Sequence, residues 1–538
     1  MPRAKRSSPT STAAGFWLTQ SWPRKRRKKC PSSSAALPTS RKGNSPIGHW
    51  GVYLALVLFF GNLPQSRGQK AEFSPNMQAA LADIAHLRYP QLKKRLSNER
   101  IFNRGNRVPD YLEAAALCIE LFVNQNEEAF ASRESELNAL ITRLEELPDD
   151  DPYKGVFLGE IYLAKASLQG QYQRNLKAAW LFFKAYKLLQ ENQEQHPEFV
   201  PNYLPWGVLN AAIGSLPDNY RNIASFLGFS GSIDKGLSLV QKAYRASVRD
   251  EEWAFYQPYF GFVFAYLQFQ LEAGKQLNLE DFGLKVEQSS FYIFLQSEML
   301  LEAGNAEGAF KLLQARPRGS AYLPFPYLDY LSGKVALSVE PRRADVFFHR
   351  YLSHSQNPNY LKSSCRYLAW YHLLRGDRDS VAYYRQAVLA KGLEFTGADQ
   401  QALSEARNGF NLSLIKARLA FDGGRYEEAL QLLPEEKQPL CCPQDWAACE
   451  FYYRRGRSLQ ALGLYPEAEE AYRKATAEEL AEMSYAYGNS WLQMGQMAEE
   501  RKQMRQAAKY YQICLQYRDY PFYEGVHQKA KTGLSRLP

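Results

Sequence analysis

Three stretches near the carboxyl end align without gaps at a constant spacing of 39 residues. They cover residues 415–433, 453–475 and 492–514. Each contains a small residue, a second small residue twelve positions later, and a large residue four positions after that. The three sets are Ala417, Ala429 and Leu433; Gly456, Ala468 and Tyr472; and Gly495, Ala507 and Tyr511. Because two helices cross closely only where a small side chain lies at the crossing, this spacing predicts stacked helical hairpins.

The rest of the chain from Phe73 to Leu537 has a similar character. Apolar residues recur at helical spacing, Pro and Gly interrupt them at intervals, and no alternating segment typical of a strand is found. A further copy of the pattern places Ala309 at a crossing. The repeat exceeds the ~34 residues of a regular tetratricopeptide unit. We therefore expect an all-α, tetratricopeptide-like solenoid, a superhelical array of antiparallel helix hairpins, irregular over 69–400 and regular over 401–538 with a closing helix.

The amino terminus is predicted to direct the chain's location. Residues 1–48 hold eleven Lys and Arg and no acidic residue, which leaves a net charge of −1 for the remainder. The apolar run 50–61 spans roughly 18 Å as a helix, short of a bilayer core of about 30 Å. Small residues Ser66 and Gly68 precede a cleavage point. We expect a disordered basic tail over 1–48 and a signal sequence, or a short membrane anchor, over 49–68.

These features predict a periplasmic or secreted protein, with a membrane-anchored form associated through 50–61 as the alternative. The near-neutral remainder has no electrostatic footprint for nucleic acid, so no nucleic-acid partner is expected. Nucleic-acid binding by the basic tail is a third hypothesis, which fails if the mature chain begins near Gln69.

The stretch FLGFSGSIDKGL, residues 226–237, contains three glycines that raise the question of a phosphate-binding loop. A Walker-type loop needs a preceding strand and a Lys directly after its last Gly, and neither is present. We interpret Gly228 and Gly231 as an inter-helix turn, in which one of them ends the helix before it. Ser232 then caps the following helix, with Asp234 in its first turn.

The phrase LGFSGSIDKGLSLVQKAYR, together with the repeats near the carboxyl end, resembles the inclusion-body-clearance family of fungi and its animal tetratricopeptide-repeat relatives. The resemblance covers about residues 150–537. The signal-like amino terminus departs from those mostly intracellular proteins and is similar instead to exported bacterial relatives. The resemblance implies an all-helical repeat fold that binds other proteins, and it supplies no catalytic residues.

Candidate residues for chemistry are sparse. Only seven His occur, and no H-E-x-x-H or G-x-S-x-G motif is present. The acidic run PDDDP is interpreted as a loop that caps a helix from Asp151. Cys441, Cys442 and Cys449 lack zinc-site spacing, but export of the chain would permit a disulfide between Cys449 and one of the pair. We expect no cofactor, no metal and no enzymatic activity.

The favoured hypothesis is therefore a protein–protein interaction scaffold, exported or membrane-tethered, whose partner is a protein or peptide. The alternative is an enzyme of unrecognised type with a pocket inside the helical array. Clustered carboxylates with strongly perturbed pKa values in a deep cleft would favour that alternative.

Overall fold

The computed structural model describes residues 69–216, 228–271, 277–356, 358–442, 444–477, 485–517 and 523–537. The tail and signal predictions, over 1–48 and 49–68, lie outside these residues. Among the described residues the α-helices are α1 Pro75–Ala85, α2 Tyr89–Phe102, α3 Val108–Asn124, α4 Glu127–Glu145, α5 Pro152–Gln171, α6 Asn175–Gln195, α7 Val200–Gly214, α8 Ile233–Arg249, α9 Gln257–Leu271, α10 Ser290–Glu302, α11 Ala306–Gln314, α12 Tyr327–Val339, α13 Ala344–His354, α14 Leu361–Leu374, α15 Arg378–Ala390, α16 Gly397–Asn408, α17 Leu412–Asp422, α18 Tyr426–Gln431, α19 Gln438–Cys441, α20 Asp445–Ala461, α21 Tyr465–Ala475, α22 Tyr485–Glu500, α23 Met504–Cys514 and α24 Tyr523–Arg536.

Side chains at the predicted caps begin several of these helices. The Asp151 carboxylate accepts the backbone N–H of Tyr153, with Pro152 in the first turn of α5. Ser232 accepts the N–H of Lys235 at the start of α8. Each cap satisfies a backbone donor that has no partner inside the helix. Both predicted caps are confirmed.

Consecutive helices pack against each other as hairpins. The pairs α17–α18, α20–α21 and α22–α23 are each joined by a turn of three residues, so their helices run antiparallel. The middle residues of these turns, Gly424, Gly463 and Lys502, have φ angles of +78°, +79° and +60°. They follow one another at the 39-residue spacing of the repeat. Each repeat thus also contains, at the same position, a residue in the left-handed backbone conformation where the chain reverses direction.

The hairpins also stack on one another. The first helix of one hairpin packs against the first helix of the next, as α20 does on α22, and α24 packs on both helices of the last hairpin. No strand ladder occurs within the described ranges, where a single isolated bridge joins Lys70 and Asn106. The predicted fold class, an all-α tetratricopeptide-like array of antiparallel helix hairpins, is confirmed. No helix among the described residues is long and apolar enough to cross a bilayer.

Hydrogen bonds also join hairpins that are far apart in sequence. The Ser289 hydroxyl donates to the Ala85 carbonyl at 2.6 Å, across 204 positions. The Gln528 amide on α24 donates to the Ser215 carbonyl at 2.7 Å, across 313 positions. The hairpins therefore contact more than their sequence neighbours.

Among the three cysteines near the start of α20, Cys441 and Cys442 lie together and Cys449 lies apart from them. The Cys449 thiol donates to the Ala475 carbonyl at 3.3 Å, whereas the sulfur atoms of Cys441 and Cys442 lie 3.0 Å apart. The disulfide considered between Cys449 and one of the pair is not formed in this structure.

Candidate functional site

The structure buries the residues predicted to pack the repeats. Ala309, Ala417, Ala429, Gly456, Ala468, Tyr472, Gly495, Ala507 and Tyr511 are all buried. The surroundings of Gly456 and Gly495 explain why these two positions are glycine more specifically than a close approach of two helices does. They lie beneath tyrosine rings of the same hairpins.

A Cβ on Gly456 would lie 2.6 Å from the ring of Tyr472. A Cβ on Gly495 would lie 2.4 Å from the ring of Tyr511, whose other edge approaches Gly533 on α24. The Tyr511 hydroxyl donates to the Glu499 carboxylate at 2.6 Å, which fixes the ring at its far end. Glycine is required at these positions because the ring occupies the space of a side chain.

Two glycines of the stretch 226–237, Gly228 and Gly231, lie in the turn before α8, whereas Gly236 lies within that helix. Gly228 has a φ of +83°, and Gly231 approaches α7 so closely that a Cβ would lie 2.7 Å from the Asn210 carbonyl oxygen. The helix predicted before Gly228 lies outside the described residues. The close approach of backbone to backbone leaves no space for a phosphate group between Gly231 and α7.

Four arginines lie on the first helices of successive hairpins: Arg366 on α14, Arg418 on α17, and Arg454 and Arg457 on α20. We call these residues, with Lys529 on α24, the basic face. The carboxylates and aromatic rings that these side chains contact show how close the cations lie to one another.

Arg366 and Arg418 share one carboxylate and one aromatic ring. Their guanidinium groups donate to the same Glu405 oxygen at 3.1 and 3.3 Å. Both guanidinium carbons lie 5.1 Å from the centre of the Trp370 ring. This distance permits a cation–π interaction from each arginine. The two charges are therefore held close together by Glu405, and Arg418 also pairs with Asp422 at 3.7 Å.

Arg454 belongs to a second group. It donates to Glu450 at 2.8 Å and to the Tyr485 hydroxyl at 3.0 Å, and that hydroxyl donates to Glu450 at 3.1 Å. Burial opposes ionisation of Glu450, yet the charges of Arg454 and Arg418 and these hydrogen bonds lower its pKa overall. Glu450 is therefore ionised, and its negative charge is already paired with the arginines beside it.

Arg457 and Lys529 add charge on the side of α24. Arg457 lies 4.8 Å from the centre of the Phe421 ring and donates to the Tyr453 hydroxyl at 3.1 Å. Lys529 is exposed to solvent, but desolvation and the Arg457 charge lower its pKa, against the opposing effect of Glu302. An anion bound here would relieve this repulsion.

Two donors on α14 lack acceptors among the described residues. Arg366 and Trp370 are each 1% exposed, and neither the Arg366 Nε nor the Trp370 Nε1 has a hydrogen-bond partner there. A buried unpaired donor costs roughly 1–3 kcal/mol. These two donors are closed off from solvent, so they show a shortage of acceptors around Arg366 inside the fold.

The sequence analysis missed these arginines, although a signal was present. Arg418 and Arg457 directly follow Ala417 and Gly456, so they are related by the same 39-residue spacing. A search for charged residues at constant repeat positions would have found this pair. Arg366 lies outside the register and required the structure.

Comparison with known proteins adds little to this description. No protein-family model matches the sequence, and no curated protein matches it either. Among solved structures, the chain is similar to the apo form of the quorum sensor NprR from B. thuringiensis, with 11% identity, a TM-score of 0.27, and coverage of 75% of this chain and 97% of that one.

Two further similar structures are yeast Tom70 and the Cut9–Hcn1 hetero-tetramer of the APC/C. Tom70 has 12% identity and a TM-score of 0.21, with coverage of 86% of this chain and 88% of that one. The Cut9–Hcn1 chain also has 12% identity and a TM-score of 0.21, with coverage of 86% and 96%. At these scores the likenesses carry no argument, and the fold assignment rests on the chain's own hairpins. The resemblance to the inclusion-body-clearance family stays a prediction.

Proposed function

We propose that this protein is a non-catalytic scaffold that binds an acidic segment of a partner polypeptide on the basic face. The observation that carries the proposal is the convergence of the five cations of the basic face on fewer carboxylates among the described residues: Glu405, Asp422, Glu450 and, near Lys529, Glu302. Glu405 serves two arginines at once, at 3.1 and 3.3 Å. A carboxylate from a partner would bind at the exposed Lys529 and the partly exposed Arg418 and Arg454, because charge-assisted hydrogen bonds are stronger than neutral ones.

A charge reversal at Lys529 tests this proposal. Lys529→Glu places a negative charge beside Arg457 on an exposed side chain, so the variant should fold normally. We expect binding of a fluorescein-labelled hexaglutamate peptide to weaken about tenfold, equivalent to ~1.4 kcal/mol. Fluorescence anisotropy measures the dissociation constant, and wild-type binding should weaken as salt is added.

Lys509→Glu provides the matched control. Lys509 is an exposed lysine on α23, the second helix of its hairpin, so the same charge change occurs away from the basic face. This control should bind hexaglutamate as the wild type does, and hexaglutamine should bind neither protein. Equal weakening by both variants would refute binding on the basic face.

The enzyme alternative is favoured by one observation. Burial raises the pKa of Glu160 to about 7, which is suitable for a general base. However, the hydrogen bonds described for Glu160 come only from tyrosine hydroxyls, and no described Ser, Cys or His side chain bonds to it. Turnover of a metabolite by the purified protein, with no stoichiometric partner after in-cell crosslinking, would support the enzyme instead.

We also propose that the chain is exported, with residues 49–68 as the signal. The basic tail, the short apolar run and the small residues before Gln69 support this location. We expect N-terminal sequencing of a carboxyl-tagged protein to read from Gln69, and fractionation to place it outside the cytoplasm. A mature chain that retains residues 1–48 would contradict cleavage, and would restore the nucleic-acid hypothesis for the tail.

A further inference from the structure

A second charged feature lies on different hairpins, away from the basic face in sequence. Glu160 on α5 accepts hydrogen bonds from tyrosines on two other helices. The Tyr111 hydroxyl on α3 donates to one carboxylate oxygen, and the Tyr259 hydroxyl on α9 donates to the other at 3.3 Å. Three helices therefore converge on one carboxylate.

Further aromatic rings surround this group. Tyr111 stacks on Phe157 with ring centres 4.0 Å apart, and Phe157 also contacts Tyr153 at 5.2 Å. Burial and the nearby charge of Glu160 both raise the pKa of Tyr256 well above its usual value. We call Glu160 with Tyr111, Tyr153, Tyr256 and Tyr259 the tyrosine recess. Glu160, Tyr153 and Tyr259 are partly exposed as residues.

Within the part of the chain that the structure describes, the carboxylate of Glu160 has no counterion. Among the described residues no Lys, Arg or His lies within ion-pair distance of it. Other recessed carboxylates do form salt bridges. Asp110 on α3, for example, is paired with Arg100 at 3.0 Å and Arg143 at 3.1 Å. A recessed carboxylate without a cation is unfavourable, because desolvation is not offset by an opposite charge.

We propose that the tyrosine recess binds a primary ammonium group, as on a lysine side chain of a partner polypeptide. Two hydroxyl donors use only part of the acceptor capacity of a carboxylate, which leaves lone pairs for N–H donors. The site uses α3, α5 and α9, so it is independent of acidic-segment binding on the basic face.

The recess should bind a cation more strongly as pH rises through about 7. Burial raises the pKa of Glu160 to about 7, so the carboxylate loses its proton in this range. The other titratable groups facing it are Tyr111, Tyr153, Tyr256 and Tyr259, whose pKa values burial also raises. The tyrosines stay neutral at this pH, so the change in affinity follows Glu160 alone.

Saturation-transfer NMR on the whole protein tests the proposal. The probe is the peptide acetyl-Gly-Lys-Gly-amide, compared with the same peptide containing norleucine, which lacks the charge. We expect transfer to the lysine methylenes at pH 8, at least a fivefold loss at pH 6, and none for norleucine. Glu160→Gln should reduce the pH 8 signal at least fivefold, whereas Glu191→Gln, at an exposed position on α6, should not.

Two further measurements keep the test decisive. Glu160→Gln should unfold at a higher temperature than the wild type at pH 8, because it removes an uncompensated charge; a lost signal with this gain cannot be attributed to misfolding. Tetramethylammonium, which has no N–H, represents the cation of a choline headgroup. Stronger transfer to it than to the lysine peptide would overturn the assignment, as would equal lysine binding by Glu160→Gln and the wild type.

Discussion

Replacing Asp399 with alanine is expected to lower the free energy of unfolding by about 3 kcal/mol. Asp399 on α16 is fully buried and begins a different helix, α14. Its carboxylate accepts the backbone N–H of Tyr360 at 2.7 Å and that of Ser363 at 3.0 Å. Tyr360 has a φ of +60°, which is unfavourable for a residue with a side chain. Alanine would leave these two backbone donors and the Thr396 hydroxyl, which also donates to Asp399, without their acceptor beside this backbone strain.

Urea unfolding followed by circular dichroism measures this loss. Asp379→Asn, at an exposed position on α15, is the control and should change stability by less than about 0.5 kcal/mol. Asp399→Asn should be nearly as damaging as alanine, because one amide oxygen cannot replace both carboxylate oxygens. If Asp399→Ala and Asp379→Asn gave the same midpoint and slope, the cap from α16 would not stabilise α14.

Gly495→Ala is expected to destabilise the protein by about 2 kcal/mol, although alanine is the better helix former. The added Cβ would lie 2.4 Å from the Tyr511 ring. That ring cannot withdraw, since Gly533 borders its other edge and Glu499 binds its hydroxyl. Thermal unfolding measures the effect. Tyr511→Leu combined with Gly495→Ala should cost less than the sum of the two single changes.

The same substitution at Gly170 should have the opposite sign. Gly170 lies in α5, and a Cβ there would have no heavy atom within 4 Å. Gly170→Ala should therefore stabilise the protein by about 0.5–1 kcal/mol through helix propensity alone. If both glycines responded alike to alanine, backbone entropy rather than ring packing would explain Gly495.

The sequence was sufficient for features that recur at a constant spacing. The hairpins, their turns and the buried Ala468 and Ala507 follow from small residues at the repeat period, because helix crossings demand them locally. The Asp399 cap and the tyrosine recess could not be predicted in this way. Tyr259 reaches Glu160 across 99 positions, and no local pattern indicates which distant helices will meet.

The basic face lies between these two cases. Arg418 and Arg457 occupy equivalent repeat positions, so the period alone could have identified them. Arg418 is positioned by Trp370 and Glu405, which belong to α14 and α16 in the less regular part of the chain. The charges could therefore be found in the sequence, but the shared counterion and the shared ring required the structure.

The hydrogen bonds from Ser289 to Ala85 and from Gln528 to Ser215 have a consequence for folding kinetics. A chain whose units contact only sequence neighbours can nucleate anywhere and lose terminal units one at a time. Here the two long-range hydrogen bonds must form late in folding, since long loops close slowly and at an entropic cost. Deleting α1 or α24 should thus alter the refolding rate of segments 200 or more positions away in the sequence. The chain should also unfold in one cooperative transition rather than by gradual fraying from its ends.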